Sequence, residues 1–235
     1  MKRSRRVLAL LASAWLTQVS ALPAGSAARP SSPLLLSNLT VIDGRGGRPV
    51  AGRTVVIRDG SIAEIRAAGA AQPKGATVLD CTGLFVLPGL IDSHLHLPGE
   101  GRALEAFLTL LFDNGITAVR DMAGNVDLYK QVAPRSREAA TLIPRLYYSA
   151  FMAGPTFFAN DPRMKTIPGA GEAPWSRAVT DDTDIPRVIR DAKASGATAI
   201  KIYADPSPQL VRALTREAHK QGTAVIGPAS RQRDK

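Results

Sequence analysis

Two histidines one residue apart, His94 and His96 in "VLPGLIDSHLHLPG", are the residues whose type and spacing most directly suggest chemistry. The chain holds only three histidines, and these two close an apolar run. Side chains two apart in an extended strand share a face, so both imidazoles point one way while Ser93 and Leu95 point the other. Imidazoles so placed can reach one divalent cation. Asp92, just before them, fits either an outer hydrogen-bonding partner of the pair or a simple turn cap. The second anomaly is Lys201, inside the apolar "ATAIKIYAD". An ammonium buried in such a strand is costly, and burial favours the neutral amine, which can react or be modified to an anion. The alternative is a lysine near the strand end that snorkels to water. Tyr203, two residues on, shares its face.

These side chains need strands to carry them. From Leu34 to about Leu84 the pattern is β, in "LLLSNLTVIDG", "RTVVIRDGSIAEI" and "ATVLD", with Asp59-Gly60 offering a tight hairpin. The glycines of "DGRGGRPVAG" lie between strand-like runs and open no helix, so they read as turns rather than a dinucleotide loop. After Pro88 helices and strands alternate. "RALEAFLTLLFDNG" puts Leu104, Phe107, Leu108 and Leu111 on one helical face and is followed by the strand-like "ITAVRDMAG". "DIPRVIRDAKASG", with Ile185, Val188, Ile189 and Ala192 on one stripe, precedes "ATAIKIYAD"; "SPQLVRALTREAHKQG", capped at Ser207, precedes "TAVIGPA". With "RLYYSAFMAG" this makes about five strands in βα alternation, hence a parallel sheet with helices outside it. The long segment from Gly154 to Asp184 exceeds an ordinary βα connection and reads as either a lid or pocket wall, or a merely mobile surface insertion.

Composition bounds the class. Of 235 residues, 45% are hydrophobic and 21% charged, as in a packed soluble domain, and no apolar run reaches the ~20 residues that span a bilayer. The first residues have a basic start, an apolar stretch from Val7 to Leu16 and then small residues, the tripartite form of a secretory signal over residues 1–27. Cleavage after Ala21 or Ala27 fits, and the latter is preferred. "SRRVLAL" approximates a twin-arginine signal, and a retained short anchor is the alternative. A periplasmic or secreted product without a stable membrane anchor is expected. The formal charge of +10 includes Lys2, Arg3, Arg5 and Arg6 of that segment; the rest is scattered, with no aromatic-interleaved basic stripe, so no nucleic-acid partner is expected. The single cysteine, Cys81, cannot form an intrachain disulfide.

"LPGLIDSHLHL" resembles the first-strand signature of the amidohydrolase superfamily, and the preceding β segment resembles the composite β-sandwich that many members carry. "NGITAVRDMAG", "IPRLYYSA" and "GATAIKIYAD" are similar to the second, third and fourth strands, and "REAHKQGTAV" to the helix leading into the fifth, so the resemblance runs from about Leu39 to Val225. Prolidase-like and imidazolonepropionase-like hydrolases are the members most alike. The resemblance implies an α/β fold: a partial (β/α)8 (TIM-type) barrel of about five βα units over residues 88–235, preceded by a small β-sandwich domain over residues 34–87. It implies a divalent metal, most often zinc, held by His94 and His96, with Lys201 carbamylated to bridge two metals. It further implies hydrolysis of carbon–nitrogen bonds in a small-molecule amide or dipeptide substrate.

The sequence departs from that pattern where the fifth strand of similar proteins ends in a metal-binding histidine: "AVIGPAS" places Pro228 there, which has no donor atom. His219 lies on the preceding helix and reads as a helix-end residue rather than a ligand. A complete barrel takes about 250 residues, whereas this chain reaches Gly89 before its barrel begins. The expectation is a truncated or frameshifted member, inactive alone, in which the sixth to eighth strands and their further ligands are missing. The alternative is a non-catalytic remnant or binding module.

Overall fold

The computed structural model describes residues 32–138 and 140–228; the expected signal segment and the basic tail after Pro228 lie outside the described residues. Strands β1 (Leu34–Val41), β2 (Val50–Arg58), β3 (Ser61–Ala67), β4 (Thr77–Asp80) and β5 (Phe85–Val86) form one mixed sheet in the order β3-β2-β1-β4, with β5 also paired to β1. The meander β1-β2-β3 is antiparallel, while β4 and β5 run parallel to β1. Asp59 and Gly60 adopt φ of 49° and 73°, the left-handed pair that a two-residue hairpin needs to match strand twist, and Arg58 pairs with Ser61 across it. Leu35, Leu39, Val55 and Val56 are buried, whereas Ile62, Leu79 and Phe85 stand exposed. Among the described residues the expected sandwich therefore takes the form of a single five-stranded sheet.

The second part runs β6 (Leu90–Leu95), α1 (Gly101–Asp113), β7 (Ile116–Asp121), α2 (Val126–Val132), β8 (Arg145–Ala153), α3 (Pro155–Asn160), β9 (Glu172–Ala173), β10 (Ser176–Ala178), α4 (Ile185–Ala194), β11 (Ala199–Ile202), α5 (Pro208–Lys220) and β12 (Ala224–Ile226). Five of these strands lie side by side and parallel in the order β6-β7-β8-β11-β12, the curled half of a (β/α) barrel. Alternation sends Val119, Leu146, Ile200 and Ile202 toward the helices. There they pack with Leu104 and Leu108 of α1, Ile189 of α4 and Leu214 of α5. Each such buried side chain contributes about 1.5–3 kcal/mol. Phe107, Leu111 and Ile185 of the expected stripes are partly buried at the rim of the same core.

Local chemistry sets the ends of these helices. The Asp184 side chain accepts from Arg187 N at 3.2 Å and that of Ser207 from Leu210 N at 3.1 Å, while Pro186 and Pro208 occupy first-turn positions where no N–H is missed. Gly196 ends α4 at φ 84°, and a Cβ there would lie 2.6 Å from the Tyr148 hydroxyl. Helix α2, not foreseen in the sequence, is capped by Asn125, which accepts from Leu128 N at 3.3 Å.

The long segment after β8 is built into the sheet. Strand β10 pairs parallel with β8 from Ser176↔Phe151 to Ala178↔Ala153, taking over from β7, which pairs with β8 only as far as Tyr148. Phe157 and Phe158 of α3 set their rings against Phe151 with centroids 5.5 and 5.7 Å away, and Met164 is buried beside them. Of the two readings of this segment, the pocket wall is the one the structure bears out. Among the described residues no helix is long and apolar enough to cross a membrane.

Candidate metal centre

His94 and His96 stand at the carboxyl end of β6 and Lys201 near the carboxyl end of β11, and all three line one cavity of about 1570 Å³. Arg120, Arg163 and Tyr203 share its wall. The two imidazole rings lie edge to face with centroids 5.9 Å apart. Asp92 serves the backbone rather than the rings: its Oδ1 accepts from His94 N at 3.0 Å, the turn-cap alternative.

His96 is poised differently. Its Nδ1 lies 3.2 Å from the carbonyl oxygen of Ala123, a group that can only accept, so the ring donates from Nδ1 and keeps the lone pair of Nε2 free. A carbonyl behind the ring nitrogen is the usual outer partner of a metal-binding histidine.

Lys201 is 5% exposed and makes no ion pair among the described residues. Its Nζ sits 5.1 Å from the centre of the Tyr203 ring, a cation–π contact that accounts for the shared face. Burial lowers its pKa, the Asp121 carboxylate opposes that shift, and the Arg163 guanidinium adds to it. The neutral amine that burial favours is the form that can take up carbon dioxide, so the two imidazoles and this lysine fit a divalent cation by donor type. Among the described residues no group of three or more His, Cys, Asp or Glu side chains placed to hold a metal ion occurs.

Pro228 lies on the same cavity beyond β12 and offers it no side-chain donor. His219 is exposed in the last turn of α5, away from the cavity lining.

One residue escaped the sequence reading. Asp121, the last residue of β7, is fully buried; its Oδ2 accepts from Leu97 N at 2.7 Å and from the Tyr129 hydroxyl at 3.2 Å. Its Oδ1 has no partner among the described residues. Burial pushes this carboxyl up to about 6, against the hydrogen bonds from Leu97 and Tyr129, the nearby Ala123 amide and the charge of Lys201. The folded state thus holds this proton more tightly than the unfolded chain. The associated stability is complete below the ordinary value of 3.8 and is lost as pH rises through about 6. We predict that Asp121→Asn flattens the decline in unfolding free energy between pH 4 and pH 6.5, a decline of roughly 3 kcal/mol from this group. Urea denaturation across that range measures it; parallel curves for the two chains would contradict it.

No protein-family model matches the chain. Among curated proteins it is 31% identical to N-acyl-D-aspartate deacylase of Alcaligenes xylosoxydans xylosoxydans over 174 residues, 71% of this chain and 33% of the relative. It is 45% identical to dihydroorotase of Anaeromyxobacter dehalogenans over 73 residues, 31% of this chain and 16% of the relative. Among solved structures, a Bifidobacterium longum protein assigned as a prolidase superposes with a TM-score of 0.67 at 25% identity, over 84% of this chain and 49% of its own. The chain therefore spans a third or less of these curated relatives and about half of the solved structure.

Proposed function

Since the chain belongs to the amidohydrolase superfamily in sequence and fold, we propose that it provides the β domain and first five barrel strands of an exported, metal-dependent hydrolase acting on carbon–nitrogen bonds. The observation that carries this reading is the meeting of His94, His96 and Lys201 on one cavity at the carboxyl ends of parallel strands, where barrel enzymes keep their active sites. Residues 34–87 are the β domain and 88–235 the barrel portion.

His96 and His94 would hold a divalent cation, most simply zinc, through ring nitrogens, and Lys201 would supply an anionic donor once its neutral amine had taken up carbon dioxide. In that step the N–C bond forms, the amine proton passes to water, and a carbamate anion results. When bound, the cation supplies a water acidic enough to ionise near neutral pH and polarises the amide carbonyl. Phe157, Met164 and Ile167 exclude water from one side of the cavity. Substrates are small amides, cyclic amides or dipeptides.

The described residues supply five strands of the eight in a barrel and three candidate ligands. Leu90 and Ile91 of edge strand β6 are 54% and 72% exposed, as expected of side chains that further strands would cover. The 235-residue chain alone is expected to bind zinc weakly and to hydrolyse nothing measurably, whereas a version carrying the remaining strands should hydrolyse dipeptides or N-acyl amino acids in a chelator-sensitive manner. Normal turnover by the chain alone, or hydrolysis indifferent to chelation, contradicts the proposal. Pro228, which leaves the fifth strand without a donor, favours a second reading, a non-catalytic binding module. An extended chain that binds dipeptide but never cleaves it would establish that reading.

Export rests on the tripartite start of the sequence. Mass spectrometry of the exported product should find a new amino terminus between Leu22 and Ala28; an intact Met1 on a cytoplasmic product contradicts it.

A further inference from the structure

We propose that Asp121 is a positioning residue for the metal centre, fixing the backbone on the far side of His96 so that its ring stays in the metal-ready tautomer. The inference rests on the reading of His96 as a ligand but concerns the metal-free chain.

The backbone of His96 is held on both sides by β7. Before it, Leu95 O accepts from Met122 N at 3.0 Å, just past the Leu95↔Asp121 pair that follows an irregularity in the ladder between Asp92 and Leu95. After it, Leu97 N turns from the ladder and donates instead to the Asp121 carboxylate at 2.7 Å. A charge-assisted bond of that length is among the stronger ones available to a backbone amide. The Tyr129 hydroxyl closes the arrangement, lying 3.2 Å from Asp121 Oδ2 and 3.3 Å from Leu97 O. Tyr129 is itself fully buried against Tyr148, so the hydroxyl has little room to swing away.

The ring partner of His96, Ala123 O, lies two residues beyond Asp121. One short segment, Asp121 to Ala123, thus sets both where the His96 backbone lies and which ring nitrogen carries the proton. Without the carboxylate, the Leu97 amide is buried with no acceptor, a situation that chains avoid by moving. Any such movement carries His96 away from Ala123 O.

Nitrogen-15 NMR of the imidazoles in the metal-free 235-residue chain at pH 8.5, with zinc titration alongside, tests the role. The parent should show His96 with the proton on Nδ1. Asp121→Asn should keep that signature and a zinc affinity within about threefold, because the amide oxygen still accepts from Leu97 N and the amide nitrogen falls where Oδ1 has no protein partner. Asp121→Ala should lose the signature and about 10–100-fold in zinc affinity, the usual cost of losing an outer-shell partner. A folded Asp121→Ala chain with unchanged tautomer, or an Asp121→Asn chain that loses it, overturns the proposal. Should the alanine variant fail to fold, the parent decides by hydrogen exchange: a Leu97 amide as slow as the ladder amides supports the anchor, and a fast one overturns it. Failure of the parent to bind zinc would count against the ligand reading, while the tautomer and exchange results would still decide the role of Asp121.

Discussion

Replacing His94 with alanine is expected to lower zinc affinity by at least about 100-fold, beyond the 10–100-fold typical of an outer-shell loss, while leaving the fold intact. His94 is exposed; apart from the edge-to-face contact of its ring with His96, its hydrogen bond among the described residues runs through the backbone to Asp92, which alanine retains. Its removal therefore costs little stability, within about 0.5 kcal/mol as for most surface changes. What it removes is one of two imidazole donors, and among the described residues no group of three or more His, Cys, Asp or Glu is placed to hold a metal ion in its stead. His219→Ala is the control: the exposed end of α5 contributes nothing to the cavity, so zinc binding should be unchanged. Isothermal titration of the three chains separates these outcomes, and equal affinities would remove His94 from the site.

Replacing Lys201 with methionine is expected to have opposite effects on fold and function. The lysine is 5% exposed and lacks an ion-pair partner among the described residues, so its ammonium weighs on the folded state. Its lowered pKa means that the unfolded chain binds more protons, so stability from this group rises with pH toward the ordinary lysine value of 10.5. Lys201→Met removes that dependence and raises the stability of the metal-free chain at neutral pH by about 1 kcal/mol or more, as when buried charges yield to apolar groups. It also abolishes the mass gain of one carbon dioxide that the parent should show in bicarbonate with zinc, and with it the second equivalent of metal. Denaturation curves and native mass spectrometry report the two effects. A methionine variant that melts lower, or that still gains carbon dioxide, contradicts the role.

That the histidine pair and the lysine share a cavity was legible because both depend on strand position. Two-residue spacing predicts one face for His94 and His96, and both line the same cavity although the pairing of β6 is irregular between Asp92 and Leu95; a lysine amid "ATAIKIYAD" is conspicuous wherever the strand lies. The repeated helix–glycine–strand order likewise gave the five parallel strands, since their caps at Asp184 and Ser207 and the Gly196 stop are local features. Asp121 was not legible because its meaning is non-local: its partners, Leu97 and Tyr129, lie on either side of it in the chain, and only the packed barrel brings them together. The signal that would have found it is the one used for Lys201, an ionisable residue closing an apolar strand, "ITAVRD". The segment after β8 remained ambiguous for a similar reason. Its place as a cavity wall rests on β10 pairing with β8, and neither short strand of that segment announces itself by alternation.

The central claim is that His94, His96 and Lys201 converge on one cation. Anomalous diffraction at the zinc edge, from crystals of the chain grown with zinc and bicarbonate, tests it most directly. The predicted result is a peak inside the half barrel, about 2.0–2.1 Å from one ring nitrogen of each histidine, Nε2 in the case of His96, with extended density on Lys201 Nζ reaching toward it. A peak elsewhere, or a Lys201 side chain turned outward from the cavity, would contradict it.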